Sequence, residues 1–174
     1  DFLFISMISM FLLLYVLRVS PYMGAAAAIG YAFMTFTMSS FEAGHITKVL
    51  AMSLLPGVIA GLMLLNQKKW LQGGVALGLF FGMLINYFHY QIAYYAGIIM
   101  LVYAVVELWA TRERKDWKSF GLKIGVMSLA SLLAVLTSVG KIYDTMQYSK
   151  ATMRGGSEVT SEMPSKGQSQ VGAD

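Results

Sequence analysis

The charges of this chain are confined to short breaks between long apolar runs, and that arrangement leaves few folds open. Of the 174 residues, 57% are hydrophobic and only 13% are Asp, Glu, Lys or Arg. A soluble domain of this size carries about 25% charged residues. Lipid offers no hydrogen bonds, so a run that crosses it must satisfy its backbone internally, and a helix does this. The expected fold is therefore all-α, a polytopic transmembrane helix bundle of about six helices. The spans fall near 2–17, 21–38, 49–65, 70–86, 92–109 and 120–140. Residues 1–154 make the transmembrane domain in this reading. Residues 155–174 are rich in Gly and Ser, as an extracytoplasmic flexible tail or the start of a truncated outer domain would be. The first run has no initiator Met, basic flank or small-residue cleavage site, so it reads as a helix of a fragment and not as a signal peptide.

Local signals refine these spans. Ser20 and Pro21 read as N-cap and first-turn proline of the second helix. Its Ala25–Ala28 tract and Gly30 allow a neighbouring helix to come close. Pro56 falls inside the third helix and frees a carbonyl one turn earlier, which a membrane tolerates only against protein or water. Gly74, Gly78 and Gly82 are spaced by four residues, as a packing stripe is. No strand precedes them and no Gly-Lys-Ser/Thr follows, so they are no phosphate loop. Glu107, close to a basic loop, reads as an interfacial charge partner.

Six spans alternate sides. One set of connections holds Arg18, Lys68, Lys69, Arg112, Arg114, Lys115 and Lys118, and the short loops opposite hold only Lys48. The positive-inside rule assigns the basic set to the cytoplasm, with Trp70, Trp109 and Trp117 at that boundary. Segments 39–48, 86–91 and 141–174 are then extracytoplasmic. A formal charge of +4 distributed in this way points to a bilayer and not to nucleic acid. The absence of Cys excludes disulfides, a thiol nucleophile and thiolate metal sites.

The outward segments hold the candidate site. Ser39–Lys48 is a polar island in which Glu42, His45 and Lys48 recur every third residue, along one side of any helix that begins there. Asn86, His89 and Gln91 form a second cluster, and Tyr148, Lys150 and Arg154 a third. A carboxylate and imidazoles serve as bases, and Lys and Arg hold phosphate. Tyr87, Tyr90, Tyr94 and Tyr95 fit an interfacial aromatic belt, or a platform for a sugar or lipid. His45 and His89 lack a metal spacing such as His-Glu-x-x-His, so no metal ligands are assigned. The cofactor is left open by this chemistry, with a divalent cation as one candidate.

Three motifs carry a family resemblance. They are Glu42-Ala-Gly-His-Ile-Thr-Lys48 before an apolar run with Pro56, His89-Tyr-Gln-Ile-Ala-Tyr-Tyr95 leading into a helix, and Tyr148-Ser-Lys-Ala-Thr-Met-Arg-Gly-Gly-Ser-Glu158 after a span. Their order and spacing resemble the YfhO-like bacterial membrane proteins. These in turn look like the C-type glycosyltransferases, which take a sugar from a polyprenyl-phosphate carrier on the outer side of the membrane. The resemblance implies a GT-C-like bundle in the bacterial cytoplasmic membrane. Its partners would be a lipid-linked sugar donor and an envelope glycan or lipid acceptor. It implies Glu42 and His45 as catalytic residues. Lys48, Asn86, His89, Gln91, Tyr148, Lys150 and Arg154 would contact the carrier phosphate or the acceptor. Ile46 departs from the polar residue expected after the histidine. The superfamily's usual catalytic acid sits in the first outer loop, upstream of this chain, so the resemblance implies an incomplete enzyme. A transporter or flippase, and a non-catalytic membrane subunit, are the alternatives from other classes.

Overall fold

The computed structural model describes residues 2–87 and 89–151. Among the described residues there are eight α-helices and no strand. They are α1 (Phe2–Val16), α2 (Pro21–Ala32), α3 (Thr35–Glu42), α4 (Ile46–Asn66), α5 (Trp70–Asn86), α6 (Tyr90–Arg114), α7 (Trp117–Leu136) and α8 (Val139–Ala151). The chain divides into two units, Asp1–Ser138 and Val139–Asp174. The first is an all-α bundle of α1 to α7. In the second, α8 carries hydrogen bonds from Thr145 Oγ1 to the Lys141 carbonyl and from Gln147 Nε2 to Tyr143 Oη, on opposite faces of the helix.

Helices α4, α6 and α7, of 21, 25 and 20 residues, are long and apolar enough to cross a membrane. At about 1.5 Å per residue they match a hydrocarbon core of about 30 Å. Helices α1 and α5 are apolar but shorter, at 15 and 17 residues. Helix α4 is the centre of the bundle. Its apolar window is 67% buried, against 22% in α6 and in α7. A helix that is apolar all round is one other helices surround.

Side-chain pairs fix the register. Gly57 faces Phe80, Gly61 faces Leu77 and Gly73 faces Leu65, so α4 and α5 are antiparallel. A Cβ at Gly61 would come within 2.8 Å of the Leu77 backbone nitrogen, so the approach needs glycine. Gly74, Gly78 and Gly82 lie against Val126, Ala130 and Ala134, so α5 and α7 are parallel. This is the stripe expected from the four-residue spacing. Helices α6 and α7 are antiparallel, with Glu107 against Lys123 and Met100 against Ser131. Helix α1 runs parallel to α4, with Ser6 on Ser53 and Ser9 on Gly57.

The proline in α4 is accommodated by its neighbours. Pro56 cannot donate to the Met52 carbonyl, and Tyr31 Oη of α2 donates to it instead at 2.9 Å. The Gly57 N–H donates to Ser9 Oγ of α1 at 2.7 Å. Both backbone groups are thus satisfied by protein, as lipid requires.

Several boundaries differ from the sequence expectation. The stretch 21–38 is not one helix. It breaks at Phe33 and Met34, and Met34 is extended (φ −62°, ψ 144°). The β-branched Thr35 and Thr37 are weak helix formers, and Ser39 and Ser40 compete for backbone hydrogen bonds, so nothing local resists the break. The stretch 120–140 ends as α7 at Leu136, and α8 begins at Val139. Ser20 and Pro21 do start α2, with the Met23 N–H donating to Ser20 Oγ at 3.5 Å. The expected tail 155–174 lies outside the described residues.

Three turns end alike. Arg18 (φ 63°), Lys68 (φ 61°) and Lys115 (φ 58°) follow α1, α4 and α6 in the left-handed region. That conformation costs a side-chain-bearing residue roughly 1–2 kcal/mol. A cation at a helix C-terminus recovers about 0.3–1 kcal/mol of it by facing the dipole. All three residues belong to the basic end of the bundle.

Candidate functional site

The register brings the two best-described polar clusters to one end. Helices α4 and α5 form an antiparallel pair, so the start of α4 lies level with the end of α5 and the start of α6. Glu42, His45 and Lys48 therefore share an end with Asn86, His89 and Gln91. Phe2, at the start of α1, stacks on Phe41 with ring centroids 4.9 Å apart and adds to this end. The basic connections lie at the other.

Glu42, His45 and Lys48 do not lie along one helix, as their spacing suggests. Glu42 is the last residue of α3, His45 caps α4 and Lys48 sits in its first turn. Gly44 at φ 80° makes the turn, with the His45 N–H donating to the Ser40 carbonyl at 3.0 Å. A left-handed glycine closing a helix in this way is the usual reason that a periodic reading fails at a helix end. Glu42 and His45 are exposed. Among the described residues neither side chain makes a hydrogen bond or ion pair. Lys48 is half-buried, with Nζ 4.9 Å from the Phe36 ring centroid. A cation held over a ring face keeps its charge near the surface at little cost in hydration.

The second cluster is divided in its roles. Asn86 Nδ2 donates to the Gly82 carbonyl at 3.0 Å and to Ser138 Oγ at 2.8 Å, so this amide holds α5 to the end of α7. Gln91 Nε2 donates to Tyr95 Oη at 2.8 Å on the exposed face of α6. His89 caps α6 without a side-chain capping bond, and its Nδ1 is buried with no partner. A buried ring nitrogen left unpaired costs about 1–3 kcal/mol. Tyr148, in the second unit, is exposed. The side chain of Lys150 and the whole of Arg154 lie outside the described residues. Among the described residues, no group of three His, Cys, Asp or Glu side chains could hold a metal ion.

The strongest electrostatic cluster lies elsewhere. Glu107 of α6 is a charge partner, but of a Lys in the next helix and not of the basic loop. It is 7% exposed and pairs with Lys123 of α7, which is 5% exposed. Lys123 Nζ also donates to Asn66 Oδ1 at 2.8 Å, joining the end of α4. The Tyr103 hydroxyl, one turn from Glu107, is buried without a partner. The sequence carries a signal for this pair that local reading misses: a lone Lys in one apolar run and a lone Glu in the run before it. In lipid such charges must find each other. Nearby, Asp116 caps α7 by accepting the Ser119 N–H at 3.2 Å and binds Lys68 Nζ at 3.0 Å. The Lys68 ammonium, helped by that N–H, holds its carboxyl below the usual carboxylate range.

The basic end is thus cross-braced by ion pairs, while at the opposite end Glu42 and His45 are unengaged among the described residues and His89 Nδ1 is buried without a hydrogen bond. Compared with known proteins, the chain matches one family model, described as bacterial membrane protein YfhO, over residues 3–166. No curated protein and no solved structure matches it. The match takes in all three motifs, Glu42–Lys48, His89–Tyr95 and Tyr148–Glu158, and every helix from α1 to α8, so the chain belongs to the YfhO family of bacterial membrane proteins.

Proposed function

We propose that this chain is part of an integral membrane glycosyltransferase that draws a sugar from a polyprenyl-phosphate carrier at the end of the bundle opposite the basic loops. One observation carries the reading. The helix register gathers Glu42, His45, Lys48 and His89 at a single end, with the first two unengaged. The resemblance to C-type glycosyltransferases supplies the reaction class.

The chemistry asks little of the chain beyond positioning and charge. The acceptor hydroxyl oxygen attacks the anomeric carbon of the sugar. The bond from that carbon to the carrier phosphate oxygen breaks, and the phosphate leaves with the electron pair. The hydroxyl proton passes to Glu42 or His45, which stand where a base can meet solvent and acceptor. A positioned base of this kind contributes about 10²–10⁴-fold. Lys48 offsets the charge growing on the leaving phosphate. Arg154 and Lys150 are assigned the same task in the carrier's approach, and Tyr148 and Gln91 contact the sugar or acceptor. Asn86 contributes through the fold, since its amide already ties α5 to Ser138. Outward orientation of this end in the bacterial cytoplasmic membrane is part of the proposal.

The test uses the full-length parent in membrane vesicles with a labelled polyprenyl-phosphate sugar. Glu42→Gln and His45→Ala each lower transfer by about 10²-fold or more, with insertion and abundance unchanged. Normal transfer in both variants removes the reading, and a loss of partner assembly in its place supports the subunit alternative. Because the chain has no Cys, His45→Cys and His89→Cys can be labelled singly in intact cells. Labelling of both by an impermeant maleimide is expected, and opposite sidedness overturns the shared site.

A transport reading draws on the buried Glu107–Lys123 pair and on the break between α2 and α3. It predicts that a Glu107→Leu/Lys123→Met variant folds but loses function. The transferase reading predicts that this variant retains transfer.

A further inference from the structure

A groove of about 820 Å³ opens on the side of the bundle among α1, α4 and α5, beginning at the basic end. Arg18 and Lys69 stand at its mouth with Gln72, and no acidic side chain among the described residues lines it. Neither cation has a side-chain hydrogen bond or ion pair among the described residues. Gln67, by contrast, is engaged: its Nε2 donates to the Val16 carbonyl at 2.8 Å and closes the groove's floor between α1 and α4. Beyond the mouth the walls become apolar. Tyr15, Val75 and Leu79 are exposed along it, so the groove faces the lipid.

Its dimensions follow from the helix geometry. From Lys69 to Leu79 the rise along α5 is about 15 Å. That is half of a hydrocarbon core of about 30 Å, the depth of one leaflet. A plain apolar helix would fill the apolar walls but bring no counter-charge to the two cations at the mouth. A zwitterionic lipid brings a cation of its own to the same place. An anionic phosphodiester answers both charges, and Arg presents a fork that matches phosphate oxygens.

We propose that this groove is a binding site for an anionic phospholipid of the leaflet that meets the basic loops, with its phosphate between Arg18 and Lys69 and an acyl chain against Val75, Leu79 and Phe80. The site lies at the opposite end from Glu42 and His45 and stands independently of the transferase reading.

The test uses Val75→Cys in the full chain, labelled with bimane and reconstituted in phosphatidylcholine vesicles with a minor fraction of phosphatidylglycerol. Bromine is carried on the acyl chains of one lipid at a time. At position 75 brominated phosphatidylglycerol quenches several-fold more than its share of the bilayer. At Val105→Cys, on the exposed face of α6, quenching follows bulk composition. Arg18→Gln/Lys69→Gln returns position 75 to the bulk ratio, whereas Arg18→Lys/Lys69→Arg keeps the preference. Both changes are at exposed side chains, so the fold is retained. Excess inorganic phosphate leaves the ratio unchanged if the ligand is the lipid, and abolishes it if the site holds free phosphate. Equal ratios at 75 and 105 overturn the proposal. Shielding of position 75 from both lipids also overturns it and identifies a protein segment, from this chain or a second copy, as the occupant.

Discussion

At the basic end of the bundle the charges that join helices are paired, and at the opposite end Glu42 and His45 stand apart among the described residues. Lys123 meets Glu107 and Asn66, and Lys68 meets Asp116. Opposite, Glu42 and His45 are exposed, and His89 keeps a buried nitrogen unpaired. Burial explains the contrast. Glu107 and Lys123 are within the packed interior, where an unpaired charge is untenable. Glu42 and His45 lie at helix ends where water satisfies them. Two ion pairs brace the first end between its helices, and no ion pair among the described residues braces the second.

The comparison is most sharply broken at Lys123. Lys123→Ala leaves Glu107 buried alone and should cost about 3–5 kcal/mol, read as denaturant-induced unfolding in mixed micelles. Replacing both partners, Glu107→Leu/Lys123→Met, should cost far less. A single variant as stable as the wild type would mean that water reaches this pair.

Packing between α4 and α5 comes next. Gly61→Ala places a methyl group against the Leu77 backbone and should cost about 1–3 kcal/mol by thermal unfolding. Gly97→Ala has open space around its Cβ and serves as the matched control. Tyr31→Phe strips the Met52 carbonyl of its donor, for about 1 kcal/mol. A null result there would show that the helix closes over Pro56 without help.

Acid should act first on the exposed brace. The Asp116 carboxyl titrates below its unfolded value because Lys68 and the Ser119 N–H favour the charged form. Its contribution is present above the ordinary carboxylate range and is lost as pH falls through the lowered value. Asp116→Asn should therefore flatten that part of the acid unfolding profile, at small cost at neutral pH. The smallest stability effect is expected opposite. Glu42→Ala and His45→Ala should change stability by no more than about 0.5 kcal/mol, while transfer activity falls. A large stability loss at either would move that residue into the structural set.

Much of the bundle was legible because lipid makes sequence informative. The long apolar helices, the start of α2 at Ser20 and Pro21, and the contact stripe of Gly74, Gly78 and Gly82 all follow from local rules. The demand that Pro56 leaves for outside partners was legible too. Those partners, Tyr31 and Ser9, were not, since they come from helices far away in sequence. The candidate site divides in the same way. The residue types at Glu42, His45 and His89 were visible as polar islands. Their roles were not: Gly44 separates Glu42 from His45, and Asn86 is spent on Ser138.

By itself the sequence determined that this chain makes membrane-length helices, because hydrophobic length and backbone satisfaction are local properties of a segment. It also determined which connections are basic. Only the tertiary structure decided which helix is central, that α2 stops at Ala32, and that Glu107 and Lys123 meet. Only it placed Arg18 and Lys69 at the mouth of one groove. The physical reason is that register is set by pairs. A glycine shows that something approaches closely and a buried charge shows that a counter-charge exists, but which residue answers is fixed only when the helices pack.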